Sequence, residues 1–408
     1  MIHYRKTVRS AGTISHVLLL LMLIAVSLPA RAELDLAEAL RLALADDPVI
    51  AAGLARAQAH TDNAVADGQL PDPKLKTGIW NLPLDSLDID EEPTTQLRLG
   101  IEQAFPRGAT LEYRQRQSEW LASAEQAGSE TATQKLVHDV RDSFLDLHYQ
   151  VQAEQLVAET RKLFAQLVDI TRSHYAAGRV SQQDVLEATL ELARLDDKTM
   201  RIRNAADRQR AVLAKWIGAA AALPVSSEFP ALPELPSRDA LEEALVEHPV
   251  IRAESARLAA QTQSIQMARE QYKPGWSAGL EYRKRFGDDP DGDERSDMLA
   301  AMVSVELPLF TAKRQDRRLA ASIQQAEAVQ LTRDERLREL RQLLDTEYAN
   351  WQRLGERATL YESQLLRTST SNAQASLKAY QSGITEFTTL MRARITDLDI
   401  QLELLRIR

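Results

Sequence analysis

The 408-residue chain has no cysteine and a formal net charge of -9. The lack of thiols excludes a disulfide framework, a thiolate metal site and an acylated N-terminal Cys. The acidity argues against a nucleic-acid partner, which needs clustered positive charge. Beyond the N-terminus no apolar run reaches the roughly 20 residues of a membrane helix, so any crossing of a membrane must use strands.

The first 32 residues read as a secretory signal. Arg5, Lys6 and Arg9 form a positive n-region, Val17 to Val26 a short apolar core, and Ala30-Arg31-Ala32 a small-x-small cleavage site. A retained anchor is the alternative, but the apolar run is too short to span a bilayer. Cleavage after Ala32 removes four basic residues (Arg5, Lys6, Arg9 and Arg31) and takes the net charge from -9 to -13.

The mature sequence is written twice. Ala39-Leu40-Arg41-Leu42-Ala43-Leu44 with Pro48-Val49-Ile50 returns as Ala240-Leu241-Glu242-Glu243-Ala244-Leu245 with Pro249-Val250-Ile251, at an offset of 201. Pro73 and Gly78 match Pro274 and Gly279 at the same offset. Near an offset of 205, Tyr175-Ala176-Ala177-Gly178 is matched by Tyr380-Gln381-Ser382-Gly383. The first repeat is therefore placed at residues 33–223 and the second at 237–408, with a Pro-rich linker at 224–236 that cannot be helical throughout.

Each repeat runs through the same elements. Short helices are followed by two stretches that alternate apolar and polar residues, 74–80 with 96–104 and 276–285 with 297–306. Leu97, Leu99 and Ile101 fall on one side, with Arg98 and Glu102 on the other, and this period of two predicts a sheet with one apolar face. The acidic segments between them, with Pro or Gly, predict exposed hairpin loops. Residues 111–175 and 313–380 then hold no proline and one glycine each, Gly128 and Gly355. Good helix formers fill both, and at 1.5 Å per residue each predicts a helix of roughly 100 Å. Leu136, Val140, Phe144, Leu147 and Val151 make a stripe for a partner helix. Gly178 and Gly383 supply the left-handed turns that reverse the chain into return helices. The first return helix is predicted to run to residue 217. The second is predicted short, since 25 residues separate Gly383 from Arg408 whereas 40 separate Gly178 from Gly218.

The fold class is thus mainly α with a four-stranded β contribution, a duplicated strand pair plus long helical hairpin. Four strands cannot close a barrel, and an open edge finds no partner in lipid. Either these strands sit in water or several copies pool them.

Signal, duplication, opening motif, strand pair before a proline-free helix, and the Y-x-x-G tip with its downstream apolar and Ala positions (Val185 and Ala188; Leu390 and Ala393) together resemble the TolC family of outer-membrane efflux proteins. The resemblance covers essentially the whole mature chain. It implies a homotrimer whose twelve-stranded barrel in outer-membrane lipid continues as a periplasmic α-helical tunnel. It also implies a periplasmic adaptor (membrane fusion) protein and an inner-membrane efflux transporter as partners. Pro71-Asp72-Pro73, Asn81-Leu82-Pro83 and Glu91 to Gln96 further resemble the heavy-metal-efflux branch.

The resemblance also implies a gate at the helical tips. By spacing from the tip glycines, Tyr380 falls near Asp184 as a phenol-carboxylate link, a charge-assisted bond that an adaptor could break. In the other reading Tyr380 packs between helices while Asp184 is solvated. The best-known member of the family has acidic residues six and nine places after the second tip glycine. Here those places hold Thr389 and Arg392, while the first repeat has Asp184 and Glu187, which could still line the constriction.

No cofactor is expected. His60, His138, His148, His174 and His248 form no H-x-x-x-H cluster, and residues 288–294 lack the ligand spacing of a calcium loop. No G-x-S-x-G, Walker or dinucleotide motif occurs, so no enzyme is expected. The competing reading is an exported periplasmic coiled-coil scaffold or pump adaptor, which would carry one hairpin and would not repeat the strand pair.

Overall fold

The structure is a computed structural model that describes residues 33–232 and 234–408; the predicted signal segment lies outside the described residues. In chain order the elements are α1 (Leu36–Ala45), α2 (Pro48–Asp67), β1 (Lys74–Trp80), β2 (Gln96–Phe105), α3 (Thr110–Ala176), α4 (Gln182–Ile217), α5 (Arg238–Ala244), α6 (Pro249–Glu270), β3 (Gly275–Arg285), β4 (Met298–Glu306), α7 (Gln315–Leu360), α8 (Leu366–Gln381) and α9 (Phe387–Ile407). Asp47 caps α2 and His248 caps α6, each just before a proline at the first helical position, where the missing N–H costs nothing. Among the described residues no helix is long and apolar enough to cross a membrane.

Residues 33–45, 137–232 and 354–408 form one compact unit and residues 46–136 and 234–353 a second. The division cuts across the two sequence repeats, because each unit takes corresponding pieces of both. The long helices α3 and α7 contribute to both units.

The second unit holds a single antiparallel sheet in the order β1-β2-β3-β4. Its central joint is β2 with β3, which binds the strand pair of one repeat to that of the other. The register puts Leu75 opposite Ile101, Ile101 opposite Leu280 and Leu280 opposite Ala301, and likewise aligns Leu99, Tyr282 and Leu299. All the alternating apolar residues therefore share one face, and it is open: Leu75, Leu299 and Val303 are about 70% exposed. The other face carries Lys74, Lys76, Arg98, Glu102, Glu281, Arg283, Arg285 and Glu306. Among the described residues β1 and β4 are both unpaired on their outer sides.

Strand passes to helix through a tight joint. Gly108 adopts φ +49°, Ala109 N–H donates to Glu270 Oε2 at 2.8 Å, and Arg107 donates to the Gln271 carbonyl at 2.7 Å and to Glu306 at 2.9 Å.

The core of the first unit lies where α3, α4, α8 and α9 pack. Val157 and Phe164 of α3, Ala188 and Leu195 of α4, Tyr380 of α8, and Phe387, Leu390 and Leu398 of α9 are all buried there. The start of the Pro-rich linker is also tied down here. Leu34 bridges Val225 in parallel, with Leu34 N–H donating to the Pro224 carbonyl at 2.7 Å, and Arg210 donates to the carbonyls of Ala221 and Leu223.

The second long helix departs from the continuous form predicted for 313–380. Gln315 to Gln381 spans the same 67 residues as α3, but Tyr361–Leu365 winds as a π turn. The wide turn marks a change in burial: α7 before it is almost wholly exposed, whereas α8 after it buries Ser369, Ala373, Ser376 and Tyr380. Arg357–Glu403 and Glu362–Arg408 ion pairs fasten this turn to the end of α9.

Candidate functional site at the helical tips

Both tips are built by glycine. Gly178 and Gly383 have φ of 70° and 69°, the left-handed conformation an L side chain rarely adopts. At each, the glycine N–H returns to the residue three back and the next N–H to the residue five back: Gly178 to Tyr175 and Arg179 to His174, Gly383 to Tyr380 and Ile384 to Ala379. This paired pattern closes the last helical carbonyls and turns the chain.

The two return helices begin differently. Ser181 caps α4 in a reciprocal box with Asp184: Asp184 N–H donates to Ser181 Oγ at 3.3 Å, while Ser181 N–H and Oγ both donate to Asp184 Oδ2 at 2.9 Å. Glu386 starts α9 without any side-chain cap bond.

Asp184 and Tyr380 line one cleft, together with His174, Arg179 and Thr385. They are not bonded to each other. The Tyr380 hydroxyl is buried and has no hydrogen-bond partner among the described residues, and its ring meets Phe387 with centroids 5.6 Å apart. The phenol-carboxylate contact, one of the two arrangements that the sequence left open, is not made among the described residues, for a local reason. A carboxylate three residues from its partner reaches the Ser181 amide and hydroxyl with almost no loop to close, and that contact wins over a remote phenol. Glu187 sits one turn further along α4 and is half-buried; Thr389 and Arg392 are exposed on α9.

Two features were not anticipated. Asp397 on α9 is a buried carboxylate that accepts from Ser369 at 2.7 Å, Thr370 at 3.0 Å and Gln401 at 3.0 Å, which satisfies it as a packing element. The Ser181-Gln-Gln-Asp184 cap was readable as an S-x-x-D motif ahead of an apolar stretch.

The family model of outer membrane efflux proteins matches residues 39–219 and 240–408, the two repeats in turn. The chain belongs to the outer membrane efflux protein family. As an outer membrane efflux protein it is an exit duct and not a catalyst, with its strands in the outer membrane and its helices in the periplasm. Solved membrane proteins share the fold. CusC is 15% identical, with 92% of this chain and 89% of that one covered at a TM-score of 0.76. OprN is 19% identical (92% and 89%, TM-score 0.75), and VceC from Vibrio cholerae is 18% identical (91% and 92%, TM-score 0.76). No curated protein sequence matches the chain.

Proposed function

We propose that this efflux protein works as a homotrimer that receives its cargo from an inner-membrane transporter through a periplasmic adaptor. One observation carries the reading: a four-stranded sheet whose apolar face is open and whose two edge strands are unpaired. Such a sheet leaves backbone groups without partners in lipid unless other copies supply them, and three copies make a barrel of twelve strands. The polar face then lines the lumen and the apolar face meets lipid.

The test is assembly. Protein extracted from the outer-membrane fraction should run as a heat-modifiable trimer. Because the chain has no cysteine, single cysteines placed on β1 and β4 should form disulfides only between chains. A water-soluble monomer would end the reading.

We place the gate at the tips, with Asp184, Glu187 and Tyr380 facing the constriction and Thr389 and Arg392 one to two turns beyond the second tip. The support is the common cleft of Asp184 and Tyr380 and the buried Tyr380 hydroxyl, which finds no hydrogen-bond partner among the described residues. Asp184→Ala or Tyr380→Phe should raise single-channel conductance; no change in either removes the gate from this cleft.

A further inference from the structure

The polar face of the sheet has the opposite sign to the protein. Five bases stand there against three acids, in a chain whose net charge is -9. The surplus is concentrated near the outer ends of the strands. Arg98 of β2 and Arg283 of β3 are directly opposite in register, and Arg285 lies one row further out. Like charges so placed repel, and a sheet tolerates them only with a counter-charge or a use for them.

The counter-charge is incomplete. Among the described residues Glu281 is the one carboxylate paired with both guanidiniums, at 2.6 Å from Arg283 and 3.8 Å from Arg98. Arg98 Nε is buried and has no hydrogen-bond partner among the described residues, while its guanidinium lies 4.2 Å over the Trp80 ring, a contact that holds the cation without neutralising it. In the next rows inward the charges balance, Lys76 pairing with Glu102. The neighbouring loops are acidic and most of their carboxylates are exposed, whereas the Asp297 side chain is 31% exposed and accepts from the Arg285 backbone N–H at 3.3 Å. Several are already held, Asp297 and Glu294 by Lys284 and Asp289 by Arg295. Charges in bulk water are screened over about 8 Å, whereas a band on a barrel wall acts on whatever crosses it.

We infer that Arg98, Arg283 and Arg285 form an anion-selective band inside the barrel, so that the duct favours anionic cargo over free cations. The inference rests on the trimeric-duct reading, which puts the polar face in the lumen. Bare metal cations, the cargo implied by the resemblance to the heavy-metal branch, would meet this band unfavourably, and a metal held in an anionic complex would not. Guanidiniums suit carboxylate, phosphate and sulfate groups because their donors form a planar fork.

The experiment is the reversal potential of the full-length protein in planar bilayers under a potassium chloride gradient, comparing wild type with Arg98→Gln/Arg283→Gln. The expected result is a chloride preference in the wild type that falls by at least about twofold in the double variant, with conductance retained. If the double variant does not assemble, Glu281→Gln must strengthen the chloride preference, since it frees both guanidiniums. A potassium preference in the wild type, or a chloride preference that these changes leave untouched, overturns the band. Absence of any conductance in the wild type strikes instead at the duct itself.

Discussion

A Cβ on Gly108 would stand 1.7 Å from Glu270 Oε2, far inside van der Waals contact. The strand-to-helix joint therefore depends on a residue without a side chain, held at φ +49° so that the next amide, Ala109, can reach Glu270. Gly108→Ala should lower stability by about 2 to 5 kcal/mol, from left-handed strain plus the lost charged hydrogen bond. A heat-modifiable gel would show the folded band converting at a markedly lower temperature. An unshifted band would mean that the joint can relax.

Acid should loosen the linker. His148 of α3 is buried with its ring edge-on to Phe229 at 5.8 Å. Burial pushes the imidazole below the ordinary histidine range, and a hydrogen bond with the Ser226 backbone opposes this only in part. The unfolded state then binds the proton more readily, so His148 contributes stability above about pH 6.5 that is lost as the pH falls below it. Melting curves between pH 7.5 and 5 should slope downward toward acid, and His148→Gln should flatten that slope. An identical slope in the variant would assign it elsewhere.

The first tip has a cap that the second lacks. Ser181→Ala should cost roughly 1 kcal/mol at the start of α4. Hydrogen exchange should quicken over residues 181–186 and leave the start of α9 unchanged, and equal effects at both tips would contradict the asymmetry.

Phe387 is 2% exposed and meets Tyr380 in the tip core. Phe387→Ala should destabilise that packing by about 3 to 5 kcal/mol. Limited proteolysis would register it as faster cutting near residues 382–386, with cleavage elsewhere unaltered; uniform acceleration would point to global loss instead.

Much of the architecture was legible in the chain because it arises from short-range rules. Alternation along 96–104 and 276–285 predicted which residues share a sheet face, and the strand register bears this out at Leu99 and Tyr282, Ile101 and Leu280. Proline-free runs predicted the long helices, and Tyr-x-x-Gly predicted the reversals that Gly178 and Gly383 make with positive φ. These depend on periodicity and backbone sterics within a few residues.

What required the tertiary structure is pairing between distant residues. No local pattern tells that β2 joins β3, hence that Arg98 faces Arg283 and shares one glutamate with it. Nor does spacing tell whether Asp184 turns to Ser181 or to Tyr380, or that Leu34 pairs with Val225 at the head of the linker. Sequence by itself decided the order of the elements and most of their types, though not the π turn at Tyr361–Leu365. Register and packing decided the partners, because a hydrogen bond or an ion pair forms where the fold brings two groups within about 3 Å, whatever their separation along the chain.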